Sequence, residues 1–493
     1  MMEKYSEIYD EYMKGSAYKT SIGLYDTVKQ NENFFVGKQW EGVVANGLPT
    51  PVFNFLKRVI LYLVSSTMSD SIKLTASSLS AAAPAAVRRA EVINSEFEHV
   101  FESCGILAKL RLFLRNAAVD GDGAIYLHFD DSAVPGGAIA AEIIDNTRVF
   151  FGNPSEREVE KQPYIIIATH EYVDDLKRRA LKSGMSASRA DALCSSGSET
   201  DPLGVERAVL LFRLRRDAVS GRIFACEATE SATIRDEWDT GLTRYPLIWM
   251  NWDAVKDVYH GQAACTGLIP NQIFVNKLFA MAMISLMTTA YPKIVFDSTR
   301  VASWDNRVGT AIPVAGGDVT GVASIINGAQ ISPQIHEFID SAISYTRDFM
   351  GATDTALGNV QPNNTSAILA LQRASQVPLE LVRQDLYANV EQLGLIIIDM
   401  MAAFYGKRDF EGTLFDFASL RETKFSIKLD VGASAYWSEI ASMQSLDNLM
   451  MQGLISAADY LERIPSGMIP KKEELIATLR GGGSTPPRIP PVQ

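Results

Sequence analysis

The sequence predicts an α+β fold that is predominantly helical, and three observations support this class. The composition is that of a folded protein, with 47% hydrophobic, 9% aromatic and 21% charged residues among 493. Apolar residues recur at helical spacing near both ends of the chain. The stretch from Ala117 to His260 instead contains short runs of strand-forming residues. Because one hydrophobic core stops growing near roughly 250–300 residues, we expect two to four structural regions.

Helices are predicted at the N-terminal end of the chain. Their ranges are about 1–30, 52–68, 85–102 and 105–118. The first helix is amphipathic, with an apolar face formed by Tyr5, Ile8, Tyr9 and Tyr12. The Ser- and Ala-rich residues 74–87 are expected to form a surface connection into the later two helices.

A mostly antiparallel sheet is predicted next. Asp120-Gly121-Asp122-Gly123 forms a turn, and seven strand-like segments follow it. These segments are 124–129, 141–144, 148–151, 164–169, 208–214, 223–228 and 246–251. A charged helix at about 173–183 interrupts them, and the polar residues 194–204 form a loop.

The segment after His260 contains a helix of unusual composition. Pro270 is placed at its first position, the helix runs from about Asn271 to Thr289, and Pro292 ends it. Lys277 is its only charged residue, and apolar residues cover nearly every side. A soluble helix that is hydrophobic all round has to be enclosed by neighbours, from its own chain or from another.

A small β-rich module and a second helix follow. The module covers residues 293–330, with strand-like segments at 294–296, 311–314 and 322–326. Ser332 is expected to cap the second helix, and Pro333 occupies its first position. Two helices of similar length with a small module at their far end form a stalk.

The last third of the chain returns to helices. A polar loop at 351–364 precedes a long helix from about Thr365 to Tyr405, which Pro378 should kink or break. A strand is predicted at 425–431 and short helices at 437–480. The tail GGGSTPPRIPPVQ is expected to be a flexible extension.

Charge and composition limit the classes of function. Forty-six basic and fifty-eight acidic residues give a net charge of −12, which argues against a broad phosphate-gripping surface but allows DNA to slide past. Four dispersed cysteines, Cys104, Cys194, Cys226 and Cys265, indicate reduced thiols. The apolar stretches 278–291 and 393–405 fall short of the ~18 residues that a membrane span needs, so we expect no stable membrane insertion.

Motifs for catalysis are absent from the sequence. There is no G-x-x-x-x-G-K-[ST] loop and no G-x-S-x-G elbow. His170-Glu171 and His336-Glu337 lack the second histidine of a zinc protease. The sequence therefore predicts a protein that is not an enzyme and needs no cofactor or metal.

Four ordered features resemble the portal family of tailed double-stranded-DNA bacteriophages. The first is FFVGKQW at 34–40, followed by a proline and VFNFLKRVI at 52–60. The second is GLIPNQIFVNKL at 267–278. The third is the order helix, β module, helix, polar loop and kinked helix, and the fourth is LMMQGLISAADYLER at 449–463. Each motif is weak alone, but their order and spacing together indicate the family.

The resemblance implies a portal-like architecture with wing, stem, clip and crown regions in a ring oligomer. The implied regions are wing 1–265, stem helix 1 266–291, clip 292–330, stem helix 2 331–351, tunnel loop 352–364, long kinked wing helix 365–406, wing return strand 407–435, crown helices 436–480 and flexible tail 481–493.

The resemblance also implies three sets of functional residues. The tunnel loop would line the DNA channel with Asp354, Asn359, Gln361, Asn363 and Asn364. The clip would dock the motor and adaptor through Asp297, Arg300, Trp304, Asp305 and Arg307. The stem would pack between subunits through Ile273, Leu278, Met281, Met283, Leu286, Phe338 and Ile339. Because the loop has no Lys or Arg, we expect it to hold DNA loosely.

The implied function is a channel at one capsid vertex for DNA packaging and ejection. The expected partners are further copies in a ring of usually twelve, double-stranded DNA, the terminase large subunit, a head-tail adaptor, and the major capsid or scaffolding protein. The protein would lie in the virion and, during assembly, in the host cytoplasm. Two other classes stay open, namely another virion collar or adaptor protein and a metal-dependent nucleic-acid enzyme with an unrecognised carboxylate site.

Overall fold

The computed structural model describes most of the chain in two compact units. The described residues are 4–68, 72–78, 84–133, 136–193, 199–200, 204–290, 293–305, 311–317, 319–326, 334–349, 377–410, 412–431, 446–447, 449–452 and 455–463. Unit 1 comprises Met1–Met68 and Leu74–Leu429, and unit 2 comprises Ser69–Lys73 and Asp430–Gln493. Helices and sheets are mixed, which confirms the predicted α+β class.

Eleven α-helices are defined within the described residues. They are α1 Lys4–Ser21, α2 Leu24–Val36, α3 Phe55–Thr67, α4 Pro84–Ser103, α5 Ile106–Asp120, α6 Val173–Lys182, α7 Ala187–Ala192, α8 Ala264–Ala290, α9 Gln334–Phe349, α10 Glu380–Phe404 and α11 Ala457–Arg463. In unit 2, Ser456 caps α11, because its hydroxyl accepts a hydrogen bond from the backbone N–H of Asp459.

Fifteen strands are defined within the same residues. They are β1 Ile72–Ser78, β2 Asp122–Asp130, β3 Ala138–Ile144, β4 Val149–Phe151, β5 Tyr164–Tyr172, β6 Glu199–Thr200, β7 Glu206–Arg216, β8 Ile223–Ala228, β9 Thr233–Asp239, β10 Leu247–Asn251, β11 Lys293–Phe296, β12 Ala323–Ile326, β13 Lys407–Phe410, β14 Thr413–Asp416 and β15 Phe425–Val431.

The strands between residues 122 and 251 form two antiparallel sheets rather than one. Strands β10-β2-β3 make a three-stranded sheet, and β4-β5-β7-β8-β9 make a larger sheet to which β6 adds by pairing with β7. All seven predicted strands are confirmed, whereas β9 and the short β6, which lies in the predicted loop at 194–204, were not predicted. The β9 sequence TIRDEWD carries four charges, which conceals the strand pattern, because β9 is an edge strand whose side chains mostly meet solvent.

Helices cover both faces of the larger sheet. Successive residues of β7 point to opposite faces, so Leu210 packs with α6 while Leu211 packs with Ile8 of α1. The apolar positions predicted for α1 lie against the sheet, with Tyr5, Tyr9 and Tyr12 around the same cluster. A buried ion pair between Arg213 and Glu11 (2.8 Å) adds a polar contact between the sheet and this helix.

Two predictions for the N-terminal region were wrong in detail. The single helix at 1–30 is two helices, because Gly23 adopts a left-handed conformation (φ 67°) between α1 and α2. The surface connection at 74–87 contains strand β1, which pairs with β15. Its side chains alternate between buried and exposed, with Ile72, Leu74 and Ala76 buried and the residues between them exposed, so the segment is a half-buried strand.

Two predictions for the segment after His260 also need correction. Helix α8 begins at Ala264, so Pro270 lies inside it and not at its first position. An internal proline costs roughly 3 kcal/mol, but the turns before it bury Cys265, Leu268 and Ile269, and burying each such side chain contributes about 1.5–3 kcal/mol. Residues 311–314 form no strand, whereas strands β11 and β12 form where strand-like segments were predicted, and they pair with each other.

Candidate functional site

Helix α8 divides into a half that the chain encloses and a half that it leaves exposed. Eight residues from Ala264 to Leu278 are buried, and none is buried between Phe279 and Ala290. The exposed half nevertheless carries large apolar side chains, with Met281 52% and Leu286 64% accessible. Exposed apolar surface of this extent is typical of a contact with another molecule.

Helix α9 packs against α8 and has a similar division between two faces. Ile339 and Thr346 are buried, whereas Phe338 and Tyr345 are each 64% accessible. Glu337, Asp340 and Asp348 are also exposed, so the outer face of α9 is both aromatic and acidic. The pair α8 and α9 therefore leaves aromatic and aliphatic side chains uncovered on both helices.

The seven residues predicted to pack between subunits fall into two groups. Leu278 and Ile339 are already buried within the chain at 9% and 2% accessibility, so neither is free to contact a neighbour. Ile273 is half-buried, and the remaining four are exposed, namely Met281, Met283, Leu286 and Phe338. The helical period alone did not separate these groups, because the residues that enclose the first half of α8 come from distant parts of the sequence.

Buried amide side chains anchor α8 to the segment between α2 and α3. The Gln272 side chain donates to the carbonyl of Phe53 (2.8 Å) and accepts from the backbone N–H of Leu56 (3.1 Å). Asn276, one turn further on, donates to the Oε1 of Gln39 (2.6 Å). Gln272 is fully buried and Asn276 nearly so, and their amide groups also bond to each other. The amide hydrogen bonds thus fix three distant positions, Gln39, Phe53 and Leu56, against α8.

Further contacts from the same segment complete this anchor. The Asn54 side chain caps α3 by accepting from the N–H of Lys57 and donates to the carbonyl of Phe35 (3.0 Å). The indole of Trp40 donates to the carbonyl of Pro51 (2.9 Å). The ring of Phe53 stacks on Phe279 of α8, with centroids 3.9 Å apart.

The anchor brings together the first two motifs that resemble portal proteins. FFVGKQW and VFNF supply Gln39, Trp40, Phe53 and Asn54, and GLIPNQIFVNKL supplies Gln272 and Asn276. The sequence contained a signal for this role, because two amides four residues apart lie in an otherwise apolar helix. Such buried amides need partners, but only the fold identifies them.

The predicted clip residues lie on and beside the β11–β12 hairpin. Asp297 follows β11, donates its backbone N–H to the carbonyl of Val322 (3.0 Å) and accepts from the Thr299 hydroxyl. The Arg300 backbone bonds to Ala315, and Trp304 stacks on Phe296 with centroids 5.6 Å apart. Asp305 is within the described part, whereas Arg307 lies outside it. The described predicted residues therefore surround one small hairpin.

The predicted channel residues lie outside the described part of the chain. This holds for all five, namely Asp354, Asn359, Gln361, Asn363 and Asn364. Of the long helix predicted at 365–406, residues from Val377 onward are described. A short 3₁₀ segment, Val377–Leu379, contains Pro378 and precedes α10. Helix α10 thus begins just after the proline, where the missing proline N–H costs the helix no internal hydrogen bond.

A buried polar cluster that was not predicted joins α1 to the two sheets. The Asp122 carboxylate accepts from Asn251 (2.7 Å) and the N–H of Gly261 (2.6 Å), and lies 2.6 Å from the Nδ1 of His260. Lys19 is fully buried and donates to the carbonyls of Asn146 (2.6 Å) and Val149 (2.5 Å). Burial lowers the pKa of His260 and lowers that of Lys19 strongly, while Asp122 opposes both shifts.

This cluster stabilises the fold and is closed to a substrate. Asp122, His260 and Lys19 are at most 5% accessible, so no reactant reaches their polar atoms from solvent. Within the described residues, no group of three or more His, Cys, Asp or Glu is arranged to hold a metal ion. Among the described cysteines, Cys104, Cys226 and Cys265 form no disulfide with one another. The buried Asp122 cluster thus offers no reactive group that solvent can reach.

Comparison with known proteins agrees with an assembly role. The family model described as Phage P22-like portal protein matches residues 200–410, a range that contains α8, the β11–β12 hairpin, α9 and α10. This match confirms the resemblance to phage portal proteins that the ordered motifs indicate. No curated protein matches the chain.

Proposed function

We propose that the chain is the subunit of a portal ring, usually of twelve copies, at one vertex of a phage capsid. The ring is the channel through which double-stranded DNA enters during packaging and leaves during ejection. It is built in the host cytoplasm during assembly and stays in the virion. The acidic net charge of −12 supports a channel that passes DNA without gripping it.

The observation that carries this proposal is the exposed half of α8 within the region that matches the portal family. Met281, Met283, Leu286 and Met287 are exposed on a helix that has no charged residue beyond Lys277. Leaving this surface in water is unfavourable by roughly 25 cal/mol for each Å² of apolar area. Packing between copies in a ring removes that area from solvent, and a ring closes with no unpaired end.

The regions of the ring follow the order of the elements. Helices α8 and α9 are the stem, and the hairpin between them is the clip that docks the terminase large subunit and later the head-tail adaptor. The polar residues at 352–364 line the channel. The major capsid or scaffolding protein contacts the outer part of the ring. The two-helix order with an inserted β hairpin supports these assignments.

Two helices are long and apolar enough to cross a membrane by length and composition alone. They are Ala264–Ala290 and Val377–Phe404, in which the apolar 18-residue window is 17% and 56% buried respectively. The expectation that the apolar stretches are too short therefore does not hold for the full helices. The ring proposal accounts for the exposed surface of α8 through neighbouring copies, which predicts a protein that needs no detergent.

Electron microscopy of the purified chain tests the proposal. The chain is expressed without other phage proteins, purified in detergent-free buffer and examined by negative stain and by light scattering. We expect rings with a central hole and a mass of about twelve subunits. A compact monomer at high protein concentration, or a chain that is recovered only from membranes with detergent, would rule the proposal out.

A further inference from the structure

A loop without charged side chains lies exposed beside α8. Residues 42–53 read GVVANGLPTPVF and contain no Asp, Glu, Lys or Arg. Val43, Val44 and Leu48 are exposed, with 82% of Val44 accessible to solvent. Single exposed apolar side chains are common, but a cluster in an uncharged surface loop is typical of a contact site.

This loop is held in place at both ends. At its start, Gln39 is bonded to Asn276, and the Trp40 indole bridges across to Pro51. At its end, the Phe53 carbonyl accepts from Gln272. The loop therefore presents its apolar side chains in a fixed position relative to α8. A preorganised surface loses less conformational entropy when a partner binds.

Helix α8 exposes a second apolar patch on the side away from the loop. Gln272, Asn276 and Phe279 contact the loop segment and so define the near side of the helix. Phe274 and Met281 each lie two residues from an anchor residue, which is roughly 200° around a helix of 3.6 residues per turn. They are 46% and 52% accessible. One copy thus carries two different apolar patches that point in opposite directions.

We propose that loop 42–53 of one copy docks on the Phe274–Met281 patch of α8 in the next copy of the ring. A head-to-tail ring requires two different surfaces on each copy that are complementary and face different ways. The occupant is a second copy because the loop is continuous, through the Phe53–Phe279 stack, with the exposed half of α8. The proposed ring covers that half of the helix with a neighbouring copy. The inference rests on the proposed ring and assigns two of its contacting surfaces.

Two variants and one control test each surface separately. Val44→Glu places a charge in the loop, and Met281→Glu places one in the helix patch. Val219→Glu is the matched control, because Val219 is 96% accessible in a different turn. We expect both surface variants to keep the parent circular dichroism spectrum and to form at least tenfold less ring at the same concentration, while the control forms rings like the parent.

Mixing the two variants distinguishes docking between these patches from a general loss of assembly. Val44→Glu keeps an intact helix patch, and Met281→Glu keeps an intact loop, so an equimolar mixture has one intact contact per pair. We expect a 1:1 heterodimer by light scattering, with no rings.

Three results would overturn the inference, and they are distinguishable. Normal rings from Val44→Glu or from Met281→Glu would show that the altered surface does not take part in the contact between copies, and the ring proposal would stand. Two defective variants that stay monomeric when mixed would contradict the pairing of the two patches. A parent chain that forms no ring would remove the proposed function itself.

Discussion

Close packing between α5 and β2 leaves no room for a side chain at Gly123. A Cβ atom added at Gly123 would lie 2.5 Å from the carbonyl oxygen of Phe113 and 2.8 Å from its ring. The first contact is with backbone, which cannot move without shifting the helix. Glycine at this position therefore permits the close approach of α5 to the three-stranded sheet.

We predict that Gly123→Ala destabilises the chain by about 3 kcal/mol, because overpacking against backbone forces a shift of the helix. Urea unfolding of the monomeric chain, followed by circular dichroism, measures this difference. Gly267→Ala is the control, since Gly267 is helical and has nothing within 4 Å of its added Cβ. It should stabilise the chain by about 0.5–1 kcal/mol. Equal effects of the two changes would contradict the packing argument.

A second property at the residue scale is the raised pKa of the buried Asp120 carboxyl group. Burial raises its pKa to about 7, and Arg115, 3.9 Å away, offsets this only in part. The folded chain thus keeps a proton that the unfolded chain has already lost between about pH 4 and pH 7. The stabilising effect of this proton is complete at low pH and is lost as the pH rises through 7.

We therefore predict that Asp120→Asn is more stable than the parent at pH 8 by about 2–4 kcal/mol, and nearly equal to it at pH 4. Urea midpoints at the two pH values measure the difference. Asp131→Asn, in an exposed turn, is the control for removing a carboxylate at the surface. A difference for Asp120→Asn that is the same at both pH values would show that its ionisation is not responsible.

At the scale of elements, the amide anchor determines where α8 sits. Gln272 satisfies the carbonyl of Phe53, just before α3, and the N–H of Leu56 in its first turn, and both are removed from water in the folded chain. We predict that Gln272→Leu lowers stability by about 3 kcal/mol, because buried partners left without hydrogen bonds each cost about 1–3 kcal/mol.

Hydrogen exchange provides the specific readout for this variant. The N–H of Leu56 should exchange faster in Gln272→Leu, since it loses its acceptor, while amides in the large sheet keep their protection relative to global unfolding. Asn271→Leu, one residue earlier and exposed, is the control and should leave Leu56 unchanged. Unchanged exchange at Leu56 in Gln272→Leu would show that the anchor does not hold this segment.

The elements also show what the sequence could and could not predict. Strands with continuous apolar runs, such as β5 and β8, were predicted because a strand that is covered on both faces needs apolar side chains on both. Edge strand β9 was missed because most of its side chains are charged or face solvent, so its sequence lacks the apolar pattern of a packed strand. The start of α8 was misplaced because a local rule for Pro270 was outweighed by burial of Cys265 and Leu268 against distant segments.

The same contrast between local sequence patterns and long-range contacts applies to the candidate site. The apolar character of α8 was visible in the sequence, as were the amides Gln272 and Asn276. The pairing of Asn276 with Gln39 and of Gln272 with Phe53 depends on contacts across 237 and 219 positions, so no local pattern contains it. The buried Asp122 cluster likewise joins residues up to 139 positions apart. Sequence periodicity predicts which elements form, and long-range contacts determine which of their faces remain open.

At the scale of the whole molecule, the chain separates the residues that fold it from those that we propose assemble it. Leu278 and Met283 lie on one helix and were both predicted to pack between copies. Leu278 is 9% accessible and belongs to the core of the chain, whereas Met283 is 40% accessible and lies in the exposed half. A charge at either position should therefore have a different consequence.

We predict that Leu278→Asp unfolds the chain, with a loss of about 4 kcal/mol or more, because an unpaired carboxylate replaces a buried leucine. Met283→Asp should leave the monomer as stable as the parent, within about 0.5 kcal/mol, because its side chain already meets solvent. The same change should abolish rings, since the carboxylate would be buried against a neighbour. Thermal unfolding of the monomer and negative-stain images measure the two properties separately. Normal rings from Met283→Asp would exclude this part of α8 from the interface, and a well-folded Leu278→Asp would contradict the core assignment.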